Sequence, residues 1–142
     1  MKFWDTSALV PLLVPEPNTE AVTAVLHDDP DQSVWWATEV ECLSAIARRE
    51  RAGAGTSKEI AAAVDLLRGL SGSWVDVAPT EPVRVAARRL VRSHDLRSAD
   101  AFQLAAAVVA SENQLELLEL VTLDDRLADA ARREGFTILG LA

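Results

Sequence analysis

The sequence predicts an α/β layer fold in which a mostly parallel sheet of about five short strands is flanked by helices. Three observations carry that expectation. Short apolar runs alternate with helical patterns along the chain, several of those runs are apolar on both faces, and no repeat, linker or low-complexity segment interrupts them. The 142 residues suit one compact core and leave no room for two ordinary ones, so residues 1–142 are expected to form a single domain.

Each element has a local reason. Lys2–Trp4 is a short hydrophobic strand, and Asp5-Thr6-Ser7 turns it into a helical piece, Ala8–Leu13, that Pro15 and Pro17 close. Asn18 or Thr19 caps a second helix to about His27. Asp28–Asp31, with Pro30, then turns the chain into the strand Ser33–Trp36. Thr38 opens a long helix through Ala52, with Val40, Leu43, Ile46 and Ala47 at helical spacing. Gly53-Ala54-Gly55 ends it, and Thr56 or Ser57 caps another helix to about Leu70. Ser71-Gly72-Ser73 breaks that helix before the strand Trp74–Val77. Pro82 starts a helix that reaches His94, and Ser98 caps one that runs through Ala110. An apolar strand falls within Leu115–Leu123. Asp124 or Asp125 caps a last helix to Glu134, Gly135 stops it, and Phe136–Leu139 is the final strand.

Composition narrows the function classes. Asp5 interrupts any signal-peptide core and no apolar stretch is long enough to cross a membrane, so a cytoplasmic protein is expected. Cys42 is the only cysteine, which excludes an internal disulfide and a cysteine-based zinc site within one chain. His27 and His94 have no ligand-spaced partners and fall near predicted helix ends, which argues against a His-based triad. The formal net charge of −8 runs against nucleic-acid binding, but it is an average. Arginines cluster at Arg48, Arg49 and Arg51, at Arg84, Arg88, Arg89, Arg92 and Arg97, and at Arg132 and Arg133. Most of these fit solvated helix faces; the sharper expectation is that some line a nucleic-acid path or meet an acidic partner.

The chemically committed residues are acids. Asp5, Glu41, Asp100 and Asp124 each sit where a predicted strand or loop gives way to a helix. In open parallel sheets, ligands gather outside the carboxyl ends of the strands, where such residues would meet. Each acid also has a structural role available to it. Asp5 and Asp124 can be N-caps, Glu41 can close a capping box with Thr38, and Asp100 can complement a helix dipole. Glu39 and Glu41 lie about 200° apart on a helix, so only one of them can face a shared pocket. Neither that choice nor the choice between Asp124 and Asp125 follows from periodicity.

At this point the residues resemble a known family. Asp5-Thr6-Ser7-Ala8 after the first strand is similar to the opening of a PIN domain. Glu41 followed by Ala45-Ile46-Ala47-Arg48-Arg49 resembles its second motif. Asp100-Ala101 with Leu104-Ala105 resembles the third, and Thr122-Leu123-Asp124 the fourth. Four weak motifs in the right order, over nearly the whole chain, resemble the VapC toxins of bacterial type II toxin–antitoxin modules. The family pattern selects Glu41 over Glu39 and Asp124 over Asp125.

The resemblance implies a three-layer PIN-like fold and a metal-dependent endoribonuclease. In that reading Asp5, Asp100, Asp124 and Glu41 form the catalytic and metal-binding set, with Mg²⁺, or alternatively Mn²⁺, as cofactor. Oxygen ligands suit both ions, and a bound ion makes a water acidic enough to attack phosphate near neutral pH. Thr6 or Ser7 is expected to contact a phosphate or a metal-bound water. The implied partners are RNA, a cognate VapB-type antitoxin and a second copy of the chain, with the apolar helices Ala8–Leu13 and Val40–Ala47 as contact surfaces. Of Trp35 and Trp36, one is expected to face the core. The competing readings are weaker. A haloacid-dehalogenase-like phosphatase needs a second Asp where Ser7 stands, and a receiver domain needs a late lysine that the chain lacks. A catalytically silent PIN-like scaffold that binds metal or RNA is the non-enzymatic alternative.

Overall fold

The computed structural model describes residues 1–112 and 117–140. Elements follow one another as β1 (Lys2–Trp4), α1 (Thr6–Leu13), α2 (Thr19–Asp28), β2 (Gln32–Trp35), α3 (Thr38–Arg51), α4 (Ser57–Ser71), β3 (Val75–Val77), α5 (Glu81–Ser93), α6 (Ser98–Ala110), β4 (Glu119–Val121), α7 (Asp125–Glu134) and β5 (Thr137–Leu139). Every expected helix and strand is present. Leu115 and Glu116, the start of the window expected to hold β4, lie outside the described residues.

Local chemistry explains most boundaries. Thr56 and Glu59 form a reciprocal capping box at α4, and Gly135 stops α7 in the left-handed region at φ +114°. Two caps differ from expectation. Thr38 and Ser98 are the first helical residues of α3 and α6, preceded by Ala37 and Arg97, and neither of those N-caps makes a side-chain cap bond. The Thr38 hydroxyl instead accepts a hydrogen bond from Gln103.

The five strands form one parallel sheet in the order β3-β2-β1-β4-β5. The chain builds outward from β1 through β2 to β3 and then returns to the other side of β1 with β4 and β5. The order therefore reverses between β1 and β4, the place where open α/β sheets leave a crevice. Successive strand residues bury to opposite faces. Phe3, Trp35 and Leu120 join a core with α5, α6 and α7, while Trp4, Val34 and Val121 join one with α1 to α4. The result is three layers, as the sequence predicts. Trp35 is the inward member of its pair and stacks on Phe102 with ring centroids 5.5 Å apart, whereas Trp36 is 59% exposed. Cys42 is a buried core residue whose thiol burial pushes up to about 12.

Candidate active site

The switch point carries the chemistry. Asp5 leaves the end of β1 and is held against β4, its backbone N–H donating to the Val121 carbonyl at 3.0 Å. Its side chain is 4% exposed and receives every hydrogen bond on one oxygen, Oδ2. The Ser7 hydroxyl donates to it at 2.5 Å, the Thr122 hydroxyl at 2.9 Å and the Ser7 backbone at 3.3 Å. Among the described residues no hydrogen bond reaches Oδ1. Burial pushes the Asp5 carboxyl up to about 6 although the Ser7 and Thr122 hydrogen bonds pull it down, and the charge of Asp100 adds to the rise.

Three further acids complete the rim. Asp124 caps α7, its Oδ1 accepting from the Leu127 N–H at 3.1 Å. Asp100 lies in the first turn of α6, raised above the ordinary carboxylate range by burial and by the charges of Asp124 and Glu41, with Arg97 and Arg126 pulling the other way. Glu41 does not close a capping box. Its Oε1 accepts from the Thr6 hydroxyl at 2.6 Å and from the Gln103 side-chain amide at 2.7 Å. Glu39 is exposed on the far side of α3. All four predicted acids thus line one groove of about 1130 Å³, together with Thr6, Ser7, Ser44, Arg48 and Arg97. Capping and lining are the same placement for Asp5 and Asp124, because the helices begin at the groove.

The donor set suits a hard divalent cation. Five carboxylates line the groove; Glu16 is paired with Arg49, and among the described residues none of the other four forms an ion pair with a basic side chain. No three of them draw together into a cage for one ion among the described residues. That openness fits an ion such as Mg²⁺, which is held by one or two carboxylates and keeps the rest of its octahedron for water and substrate phosphate. Thr6 and Ser7 donate their hydroxyls to Glu41 and Asp5. Gln103 and Thr122 are additions that the acids alone did not reveal. Gln103 follows Asp100 by three positions on one helix face and is the one polar side chain between Ala101 and Ala110, which is the signal that marks it.

Residues 2–133 match the family model for the PIN domain. A curated relative, Ribonuclease VapC47 of Mycobacterium tuberculosis (strain CDC 1551 / Oshkosh), is 36% identical over 141 residues, covering 96% of this chain and 93% of the relative. The chain belongs to the VapC family of PIN domains. Solved structures repeat the fold of this PIN domain at low identity. FitAcB from Neisseria gonorrhoeae is 19% identical, with 98% of this chain and 96% of that one covered, at a TM-score of 0.65. A toxin–antitoxin complex from Klebsiella pneumoniae contains a chain that is 18% identical, with coverages of 90% and 91% and a TM-score of 0.62.

Proposed function

We propose that this VapC-family PIN domain, spanning residues 1–142, is a metal-dependent endoribonuclease toxin of the cytoplasm that hydrolyses RNA phosphodiester bonds. The observation that carries the reading is the meeting of Asp5, Glu41, Asp100 and Asp124 in one groove, where none of the four forms an ion pair among the described residues. The kinship to a ribonuclease supports the substrate class. Among the described residues no helix is long and apolar enough to cross a membrane.

Asp5, Asp100 and Asp124 would hold Mg²⁺ or Mn²⁺, one or two carboxylates to an ion, with Glu41 beside them. When bound, the ion supplies Lewis-acid polarisation of the phosphate and activation of water. The chain's own groups divide the remaining work. Ser7 and Thr122 fix Asp5 through Oδ2, so that Oδ1, which receives no hydrogen bond from the described residues, would be the oxygen available to an ion. Glu41, held at Oε1, orients the attacking water or adds a ligand, and its other oxygen takes up the proton that water releases. Arg48 and Arg97, which both line the groove, contact phosphates flanking the scissile one. Attack is in line and forms no covalent intermediate with the enzyme.

A cognate VapB-type antitoxin is the proposed regulator and a homodimer the proposed assembly. Exposed Val40 and Leu43 on α3 continue the groove and offer apolar contact to the antitoxin. The test is cleavage of total cellular RNA by antitoxin-free protein in Mg²⁺ or Mn²⁺, against EDTA and a folded Asp100→Asn control. Discrete fragments absent from both controls are expected. No cleavage in either metal by a folded protein overturns the reading in favour of a silent scaffold.

A further inference from the structure

Gln103 is 1% exposed, in the middle of a helix whose neighbouring residues Leu104, Ala105, Ala106 and Ala107 are all buried and apolar. Its amide oxygen, Oε1, has no hydrogen-bond partner. An unpaired buried carbonyl costs stability, and leucine or methionine would fill the same space without that cost. The amide nitrogen, in contrast, is crowded with acceptors. Nε2 stands 2.7 Å from Glu41 Oε1, 3.0 Å from Thr6 Oγ1 and 3.1 Å from Thr38 Oγ1. Those residues come from α1 and α3, which pack in the core on the opposite face of the sheet from α6. One side chain therefore links the layer that carries Asp100 to the layer that carries Glu41.

We propose that Gln103 is a positioning residue that sets the Glu41 carboxylate for turnover, a role that rests on the nuclease reading of the groove. Its N–H and the Thr6 hydroxyl converge on the same oxygen, Oε1. Glu41 is thereby fixed in rotation with Oε2 turned to the groove, where no hydrogen bond from the described residues reaches it. Thr38 anchors the amide from the other side, at the first residue of α3, so the start of α3 and the carboxylate one turn later are held as a unit. Removing the amide frees the carboxylate to rotate without removing its charge. The acid stays; its aim is lost.

Gln103→Met keeps an unbranched side chain of similar length and deletes both N–H donors. With folding confirmed by thermal melting, it is expected to lower kcat on the order of 10- to 100-fold, with KM within about twofold, on an RNA oligonucleotide spanning a cut mapped in total RNA. In a Glu41→Gln background the same change is expected to cost no more than about twofold, because the two residues act through one contact. Gln103→Asn, which withdraws the amide by one methylene, serves if the Met variant does not fold, and the same outcomes apply to it. A spectroscopic arm needs no activity. In ¹⁵N-labelled metal-free protein, the side-chain amide pair that disappears in Gln103→Met is expected to shift in Glu41→Gln. Unchanged kcat, an equal loss in both backgrounds, or an amide pair indifferent to Glu41→Gln overturns the proposal. If the wild-type chain cuts no RNA while the amide pair still responds, the nuclease reading fails and the positioning link stands.

Discussion

Asp5→Asn is expected to stabilise the metal-free protein at neutral pH and to lose that advantage in acid. Asp5 is 4% exposed and its carboxyl is pushed up to about 6 from an ordinary 3.8. The folded state thus binds this proton more tightly than the unfolded chain does. The associated stability is complete below about pH 3.8 and is lost as pH rises through 6. A little over two pH units at about 1.4 kcal/mol each gives a cost of roughly 3 kcal/mol above pH 7. Asparagine avoids that charge. It also keeps the local geometry, because the Ser7 hydroxyl, Ser7 N–H and Thr122 hydroxyl all converge on Oδ2, and a single amide oxygen can replace it. Urea unfolding of both proteins in EDTA at pH 4.5, 6 and 7.5 measures the difference. The advantage of the variant should grow by roughly 2 kcal/mol across the series, and at pH 7.5 Mg²⁺ or Mn²⁺ should stabilise the wild type more than the variant. A difference that stays flat with pH would refute the argument that burial of an unneutralised carboxylate dominates this position.

Three other perturbations read separate parts of the structure. Arg48→Ala and Arg97→Ala, each made in an Asp100→Asn background that cannot turn over, should weaken single-stranded RNA binding and reduce its log–log salt slope by about 0.7 per arginine, measured by fluorescence anisotropy. An unchanged slope would remove that arginine from the RNA path. Gly140→Ala should lower stability by roughly 1–3 kcal/mol in thermal melting, because Gly140 has φ +100° and an added Cβ would lie 2.9 Å from the Thr122 carbonyl. Trp35→Ala should cost about 3–5 kcal/mol in urea unfolding by removing a buried ring from its stack on Phe102. Trp36→Ala at the exposed neighbour should stay within about 0.5 kcal/mol.

The chain's elements were legible because their signals are local. Gly53 and Gly135 end helices with positive φ, Thr56 and Glu59 are spaced as a capping box, and strand and helix periods alternate plainly. The site was legible in part. Helix spacing could not choose Glu41 over Glu39, since either could face a pocket, and the family pattern made that choice. What stayed hidden is non-local. Ser7 and Thr122 are separated by 115 positions yet lie 3.1 Å apart, and Gln103 reaches Glu41 across 62 positions. Contacts of that kind depend on sheet order, and nothing in the strand sequences states that β1 lies between β2 and β4. Trp35 and Trp36 show the same limit at short range: alternation required one to face inward, and only strand register decided which.

The fold explains how so much negative charge can be gathered without unfolding the protein. α1, α3, α6 and α7 all start at the groove, and each presents a partially positive N-terminus to it. Asp5 and Asp124 occupy N-caps, while Glu41 and Asp100 sit within the first turn of their helices, where a carboxylate gains about 0.3–1 kcal/mol from the dipole. That offset is smaller than the cost of burying Asp5 alone, and both Asp5 and Asp100 remain raised. The arginines near the groove do not close the gap: Arg49 is taken by Glu16, Arg126 pairs with Asp95, and Arg48 and Arg97 line the groove without forming an ion pair to any of the four acids among the described residues. The helices therefore make the cluster tolerable and leave it short of positive charge. A protein that needed these acids only as two caps and two first-turn charges would gain by pairing them with those arginines. Leaving the deficit in place makes sense for a groove whose positive charge arrives from solution.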